Sequence, residues 1–217
     1  MNKYTRKILW MISILSLFGT TISYFYLPEQ IPIHWNVNWE VDNLADKNMI
    51  FLLGALPILL IIMFRYLPKF DPRRYNYSKH GKAYEYIEIA TVLLMIIMNW
   101  ITIGVSLNIN INEKLILPLA LGVLFLVIGN YMPRLKSNYF FGIKNPWTLS
   151  SDVVWRKTHK MGGYIFIIIG VLMIIMGIIQ NKLMNNLTFL ALIVGIIWLY
   201  IYSYLIYKDI IGNKDEQ

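Results

Sequence analysis

The chain has 217 residues, of which 57% are hydrophobic and only 15% charged, and its net charge is +8. Soluble domains carry about 25% charged residues, so this composition excludes an ordinary soluble fold and predicts a multi-pass membrane protein. With no cysteine in the chain, disulfides, thiol catalysis and cysteine metal sites are excluded as well.

A bilayer core of about 30 Å is crossed by about 20 apolar residues in a helix, which satisfies its own backbone polar groups. Lys3, Arg6 and Lys7 precede the first such run, from Ile8 to Leu27. That run is longer than a signal-peptide core and ends in Tyr24-Phe25-Tyr26-Leu27-Pro28 without a small-x-small cleavage site. It therefore reads as a retained transmembrane helix. Six segments qualify in all, near 8–27, 49–67, 86–107, 115–132, 161–180 and 187–207, and none shows the alternation of a barrel strand. The expected fold is all-α, a bundle of six transmembrane helices.

The loops set its orientation. Of the 20 lysines and arginines, 17 lie in the N-terminal tail, the segment after the second helix, the insert after the fourth, and the C-terminal tail. Only Lys47, Lys114 and Lys182 fall on the other side. Positive charge is retained on the inner face, so both termini and the long insert are expected in the cytoplasm. Charge placed this way orients a membrane protein and does not point to nucleic acid. The chain divides into an N-terminal three-helix part, 1–107, with an outer loop at 28–48 and a basic loop at 68–85. A C-terminal three-helix part, 108–217, carries the insert 133–160, and the two form one integrated bundle.

The outer loop reads Leu27-Pro28-Glu29-Gln30-Ile31-Pro32-Ile33-His34-Trp35-Asn36. Pro28 and Pro32 hold it extended, and it sets His34 and Trp35 just above the membrane. Two readings stay open. Pro32, His34 and Trp35, with the acidic residues of the loop, form a receiving site for a cationic or amphipathic peptide. Alternatively the segment is a surface turn whose Trp35 and Trp39 join the interfacial aromatic belt. In the basic loop, Asp71-Pro72 is turn chemistry; Arg73 and Arg74 can bind anionic lipid heads, though simple positive-inside anchoring accounts for them better. Glu85 and Glu88, one turn apart at the start of the third helix, pair with nearby cations or face a polar cleft.

The insert after the fourth helix has the most specific order. It runs Gly129-Asn130-Tyr131-Met132-Pro133-Arg134, through Asn138, then Gly142-Ile143-Lys144-Asn145-Pro146-Trp147-Thr148-Leu149, to Trp155 and His159. Asn130 ends a helix, Gly142 permits a backbone angle other residues resist, and Pro146 forces Asn145 to be extended. Ser150 or Ser151 caps a short helix that carries Trp155 and His159 on one face, with Gly162-Gly163 leading into the fifth span. Interfacial anchoring accounts for the tryptophans and lysines. It does not require Asn130, Asn138, Gly142, Pro146 and Thr148 together.

These two stretches carry a resemblance. The first resembles the membrane domains with a Pro-x-x-Ile-Pro-x-His motif after the first helix, the DUF1648 type. The second resembles the SdpI family of bacterial immunity proteins, which have six transmembrane helices. The resemblance implies protection against a peptide toxin secreted by sibling cells. It also implies a signalling role in which the toxin-bound protein holds a winged-helix repressor at the membrane. Carried over, it marks Pro32 and His34 outside. Inside it marks Asn130, Asn138, Gly142, Lys144, Pro146, Trp147, Thr148, Leu149, Trp155 and His159, beside the basic Arg134. This chain has Lys144-Asn145 where the family often has Arg-Thr.

Catalysis is not expected. His34, His80 and His159 have no metal-ligand spacing, and the sequence has no HExxH and no phosphate loop. Neither a metal nor a cofactor is expected. Two other classes remain as alternatives. A small transporter or export component predicts a mid-membrane cavity lined by Thr91, Asn99 and Asn130. A membrane enzyme acting on lipid or cell-wall precursors predicts His34 or His159 as a base in a cleft of clustered ionisable groups.

Overall fold

The computed structural model describes the backbone of residues 3–80 and 82–215, with side chains as far as Ile210. Lys214, one of the charges used above for orientation, lies outside the described side chains. Helix α1 (Lys3–Ser23) ends in a 3-10 turn at Tyr24–Tyr26. Strands β1 (Gln30–Trp35) and β2 (Val41–Asp46) follow, then α2 (Met49–Phe70), a 3-10 turn at Arg74–Lys79, and α3 (Ala83–Ser106). The second half holds α4 (Glu113–Tyr131), a 3-10 turn at Met132–Arg134, α5 (Pro146–Ser150), α6 (Asp152–Ile179) and α7 (Lys182–Asp215). Helices α1, α2, α3, α4, α6 and α7 are each long and apolar enough to cross a membrane. The all-α, six-span bundle is therefore present.

Two differences from expectation matter for the site. First, the loop at 28–48 is an antiparallel β-hairpin rather than an open turn. Gln30 pairs with Asp46, Ile31 with Ala45 and Pro32 with Leu44, and the register shifts around His34. Ile31 and Ile33 pack in one cluster and Trp35, beyond the shift, in another. Ile31 is fully buried with Leu27, Ile50 and Ile103. Trp35 and Trp39 do not lie in a lipid-facing belt. They pack into the bundle against Ile101, Leu117, Ile169, Met173 and Met176, where burial outweighs the headgroup preference of an indole. Trp39 sits at φ +59°, in a tip closed by Asn36 Oδ1, which accepts from the backbone N–H groups of Asn38 and Glu40.

Second, α6 starts at Asp152, not near residue 161. Trp155 and His159 thus lie in the first turns of a spanning helix. Gly162-Gly163 does not break that helix, because close packing uses the missing side chains. The carbonyl of Gly129 would lie 2.8 Å from a Cβ at Gly163, and that of Gly122 2.8 Å from one at Gly170. Lipid supplies no hydrophobic drive between helices, so association rests on close approach of this kind. Helix α1 is tied to α3 by polar contacts instead. Asn99 Nδ2 donates to Thr20 Oγ1 at 2.8 Å, and Trp100 Nε1 to Ser16 Oγ at 3.0 Å.

Candidate functional site

A group of polar residues lies at each end of the bundle. At one end the basic loop after α2 and the insert between α4 and α6 interlock. Asn138 is fully buried and forms the hub. Its Oδ1 accepts from the backbone N–H of Phe140 (3.0 Å) and Phe141 (2.7 Å), and its Nδ2 donates to the carbonyls of Lys136 (2.9 Å) and Phe141 (3.0 Å). A second centre is Asp71, also buried. Its carboxylate accepts from Arg73 N at 2.7 Å, from Tyr77 Oη at 2.8 Å and from Tyr139 N at 2.9 Å. Tyr77 Oη also lies 3.3 Å from Asn138 Oδ1, which joins the two centres. Burial, with the hydrogen bond to Asp71, pushes the Tyr77 phenol well above its ordinary pKa.

Arg73 closes the structure across the loops. Its guanidinium donates to Ser137 Oγ and, at 2.7 Å, to the carbonyl of Leu149. It also lies over the Tyr139 ring, 5.2 Å from the centroid. These contacts turn the Arg73 guanidinium into the protein. Arg74 remains exposed. Asn76 Nδ2 donates to Ser137 O at 2.7 Å. His80 is buried between Tyr77 and Tyr84, and burial holds its imidazole below the ordinary pKa.

The insert's own motif is a chain of caps. Gly142 takes φ +111°, the left-handed region that side chains avoid. A Cβ there would lie 2.4 Å from His159 Nε2. The bare backbone lets Ile143 N–H donate to that nitrogen at 3.1 Å, while His159 Nδ1 lies 2.8 Å from the Trp155 carbonyl. Nε2 must accept and Nδ1 must donate, so the ring is neutral with its proton on Nδ1. Trp155 stacks on His159 at 3.9 Å and donates Nε1–H to Leu135 O at 2.8 Å. Asn145 is extended at φ −143° before Pro146 and caps α5. Its side chain accepts from Thr148 N while Thr148 Oγ1 accepts from Asn145 N. Asn145 Nδ2 then reaches Ser203 Oγ of α7 at 2.7 Å, and Trp147 packs edge-on to Tyr200 and against Tyr204. Lys144 Nζ donates to the carbonyls of Tyr139 and Phe140.

Asn138, Gly142, Lys144, Thr148, Trp155 and His159 are thus brought together as one latch, with Pro146, Trp147 and Leu149 on its α5 segment. Asn130 and Arg134 are not part of it. Asn130 is exposed on α4, and Arg134 lies over the Tyr131 ring. Asp71, Arg73, Asn76, Tyr77, Ser137 and Ser203 belong to the latch and were not singled out from the sequence as site residues. The Asp71-Pro72 turn was the available signal for Asp71. Nothing local marks Ser203.

At the opposite end the hairpin is pinned by polar side-chain contacts. His34 Nδ1 lies 2.5 Å from Asp42 Oδ1, Lys47 Nζ 2.9 Å from Glu29 Oε1, and Lys114 Nζ 3.2 Å from Glu40 Oε1. The Lys114 hydrogen bond and charge hold the Glu40 carboxyl below its ordinary range. Pro32 is buried, whereas His34 remains exposed. The structure does not bring Thr91, Asn99 and Asn130 together: Thr91 donates to Ile87 O, Asn99 to Thr20, and Asn130 is exposed beside Pro133, Arg156 and Lys160. His34 and His159 sit at opposite ends of the bundle, and no metal-holding cluster occurs among the described residues.

This arrangement defines a multi-pass helical membrane protein with a capped end and a latched end. Residues 134–204 match the SdpI/YfhL protein family, and residues 11–63 match DUF1648, a domain of unknown function. Over 205 residues, 94% of this chain and 96% of the relative, it is 24% identical to "Immunity protein SdpI" of Bacillus subtilis (strain 168). These matches bear out the resemblance to the SdpI family. No solved structure matches the chain.

Proposed function

We propose that this protein is a bacterial plasma-membrane immunity protein that protects the cell against a secreted antimicrobial peptide. The observation that carries the reading is the similarity, along nearly the whole chain, to a protein named for immunity. Both termini and the latched end face the cytoplasm, a reading supported by the distribution of lysine and arginine. The hairpin then faces outside as the receiving end. Buried Pro32 and inward-packed Trp35 hold it rigid, and they leave His34, Asp42 and Glu29 open to solvent. An acidic, preorganised edge suits a cationic amphipathic peptide. On the inner face, exposed Arg134, Lys136, Arg156 and Lys160 offer a basic surface on which a cytoplasmic winged-helix repressor would be held, without the protein itself touching nucleic acid.

The test is a strain lacking the gene, exposed to the peptide and complemented with variants matched for membrane level. Wild type restores growth, and His34→Ala with Asp42→Ala restores little. Full protection by the double variant would remove the hairpin from the receiving role. Unchanged sensitivity of the deletion strain to every sibling peptide tried would remove the immunity reading itself.

A further inference from the structure

Two adjoining clefts between α1, α2 and α3 lie beside the latch, with which the deeper shares Tyr77, and at the end opposite the hairpin. The deeper, of about 250 Å³, lies among Arg6, Arg65, Tyr77, Tyr84, Glu85 and Glu88. The shallower, of about 610 Å³, shares Arg6, Trp10 and Arg65 with it, adds Lys3 and Lys7, and continues along the apolar side chains of Met11, Ile14 and Leu15. From the deep cleft outward the lining passes from carboxylate to guanidinium to aromatic and aliphatic groups.

Glu88 is 7% exposed and lies within a spanning helix. A carboxylate there is expensive unless a cation meets it. Arg6 lines the same cleft as Glu88. Arg6 and Arg65 are both exposed at the shared rim. A ligand filling both clefts must therefore present an anion to the two arginines, a cation to Glu88 behind them, and hydrocarbon to the slot on α1. A purely anionic headgroup satisfies the arginines but sets its charge against Glu88. A bare alkyl ammonium does the reverse.

We propose that these clefts bind a phospholipid whose headgroup joins a phosphate to a primary ammonium, as in phosphatidylethanolamine. The phosphate sits between Arg6 and Arg65, the ammonium donates to Glu88, and one acyl chain lies along Met11, Ile14 and Leu15. Arginine matches the phosphate in charge and geometry. The aliphatic slot makes the source a lipid rather than free phosphate.

Native mass spectrometry of the full chain, released from micelles holding equal phosphatidylethanolamine and phosphatidylglycerol with the same acyl chains, tests this. Wild type retains the ethanolamine lipid with roughly tenfold preference, the scale of one charge-assisted hydrogen bond. Glu88→Gln abolishes the preference, and Arg65→Gln lowers retention of both lipids. Wild type alone also decides. Phosphatidylcholine, which lacks the N–H donors, falls to the level of phosphatidylglycerol, and excess glycerophosphoethanolamine without acyl chains does not displace the bound lipid. Equal retention of all three lipids, a preference that survives Glu88→Gln, or displacement by the chain-free headgroup overturns the assignment.

Discussion

His159 illustrates how one side chain sets a loop. It receives the Ile143 N–H on Nε2 and returns Nδ1–H to its own helix, and only a neutral imidazole does both. His159→Leu leaves the Ile143 N–H buried without a partner, which costs about 1–3 kcal/mol. A lower thermal unfolding midpoint in detergent is expected, and an unchanged midpoint would mean that the bond contributes nothing. Gly142→Ala tests the same junction from the other side. It forces a Cβ into the left-handed region and 2.4 Å from the imidazole, so the loss is at least as large. Glu40 makes a different case, because its pair with Lys114 is exposed. Its carboxyl pKa is lowered in the fold, so the stabilisation is present above the ordinary carboxylate value and is lost as pH falls through the lower folded value. Tryptophan fluorescence from Trp35 and Trp39 should report loosening of the hairpin in that acid range. Lys114→Met should remove the step; a step of the same size in that variant would assign it elsewhere.

Between elements, the close seam of α4 and α6 rests on glycine rows. Gly122 and Gly129 meet Gly170 and Gly163 backbone to backbone. Gly170→Leu inserts a side chain where the facing carbonyl stands at 2.8 Å. Overpacking of this order costs about 1–3 kcal/mol or forces the helices apart. The check is the unfolding midpoint, with Gly195→Ala, facing only the side chains of Ile165 and Ile169, as the milder comparison; equal effects would deny the seam its role. The spans themselves were legible because a run of apolar residues has one physical solution in lipid. The extended Asn145 and the cap at Ser151 were legible because Pro146 and the Ser150-Ser151 pair act locally. The hairpin was not, because its pairing depends on what Trp35 and Trp39 can bury beneath it. The Asp71-Pro72 turn was legible, but the bond from Tyr139 N to Asp71 was not, nor were those of Arg73 to Leu149 and Asn145 to Ser203, because each spans more than 50 residues and no local pattern reports such a meeting.

For the molecule as a whole, charge asymmetry carries the orientation, and the geometry makes the consequence sharp. The latch joins the loop after α2, the insert, α6 and α7 at a single end, while the hairpin closes the other. All of the latch must therefore lie on one side of the membrane. The chain has no cysteine, so single cysteines can be introduced without background. Glu29→Cys, whose side chain is 84% exposed on the hairpin, should react with a membrane-impermeant maleimide in intact cells. Lys136→Cys and Arg156→Cys, exposed on the latched end, should react only after the cells are opened. The reverse pattern would invert the topology and place the basic inserts where a secreted peptide arrives first. It would move the receiving role from His34 to the Arg134–Lys160 surface while leaving every contact of the latch unchanged. Labelling that site by site matches the first pattern fixes the hairpin as the outward face, and the growth assay with His34 and Asp42 variants can then be read as a test of recognition rather than of topology.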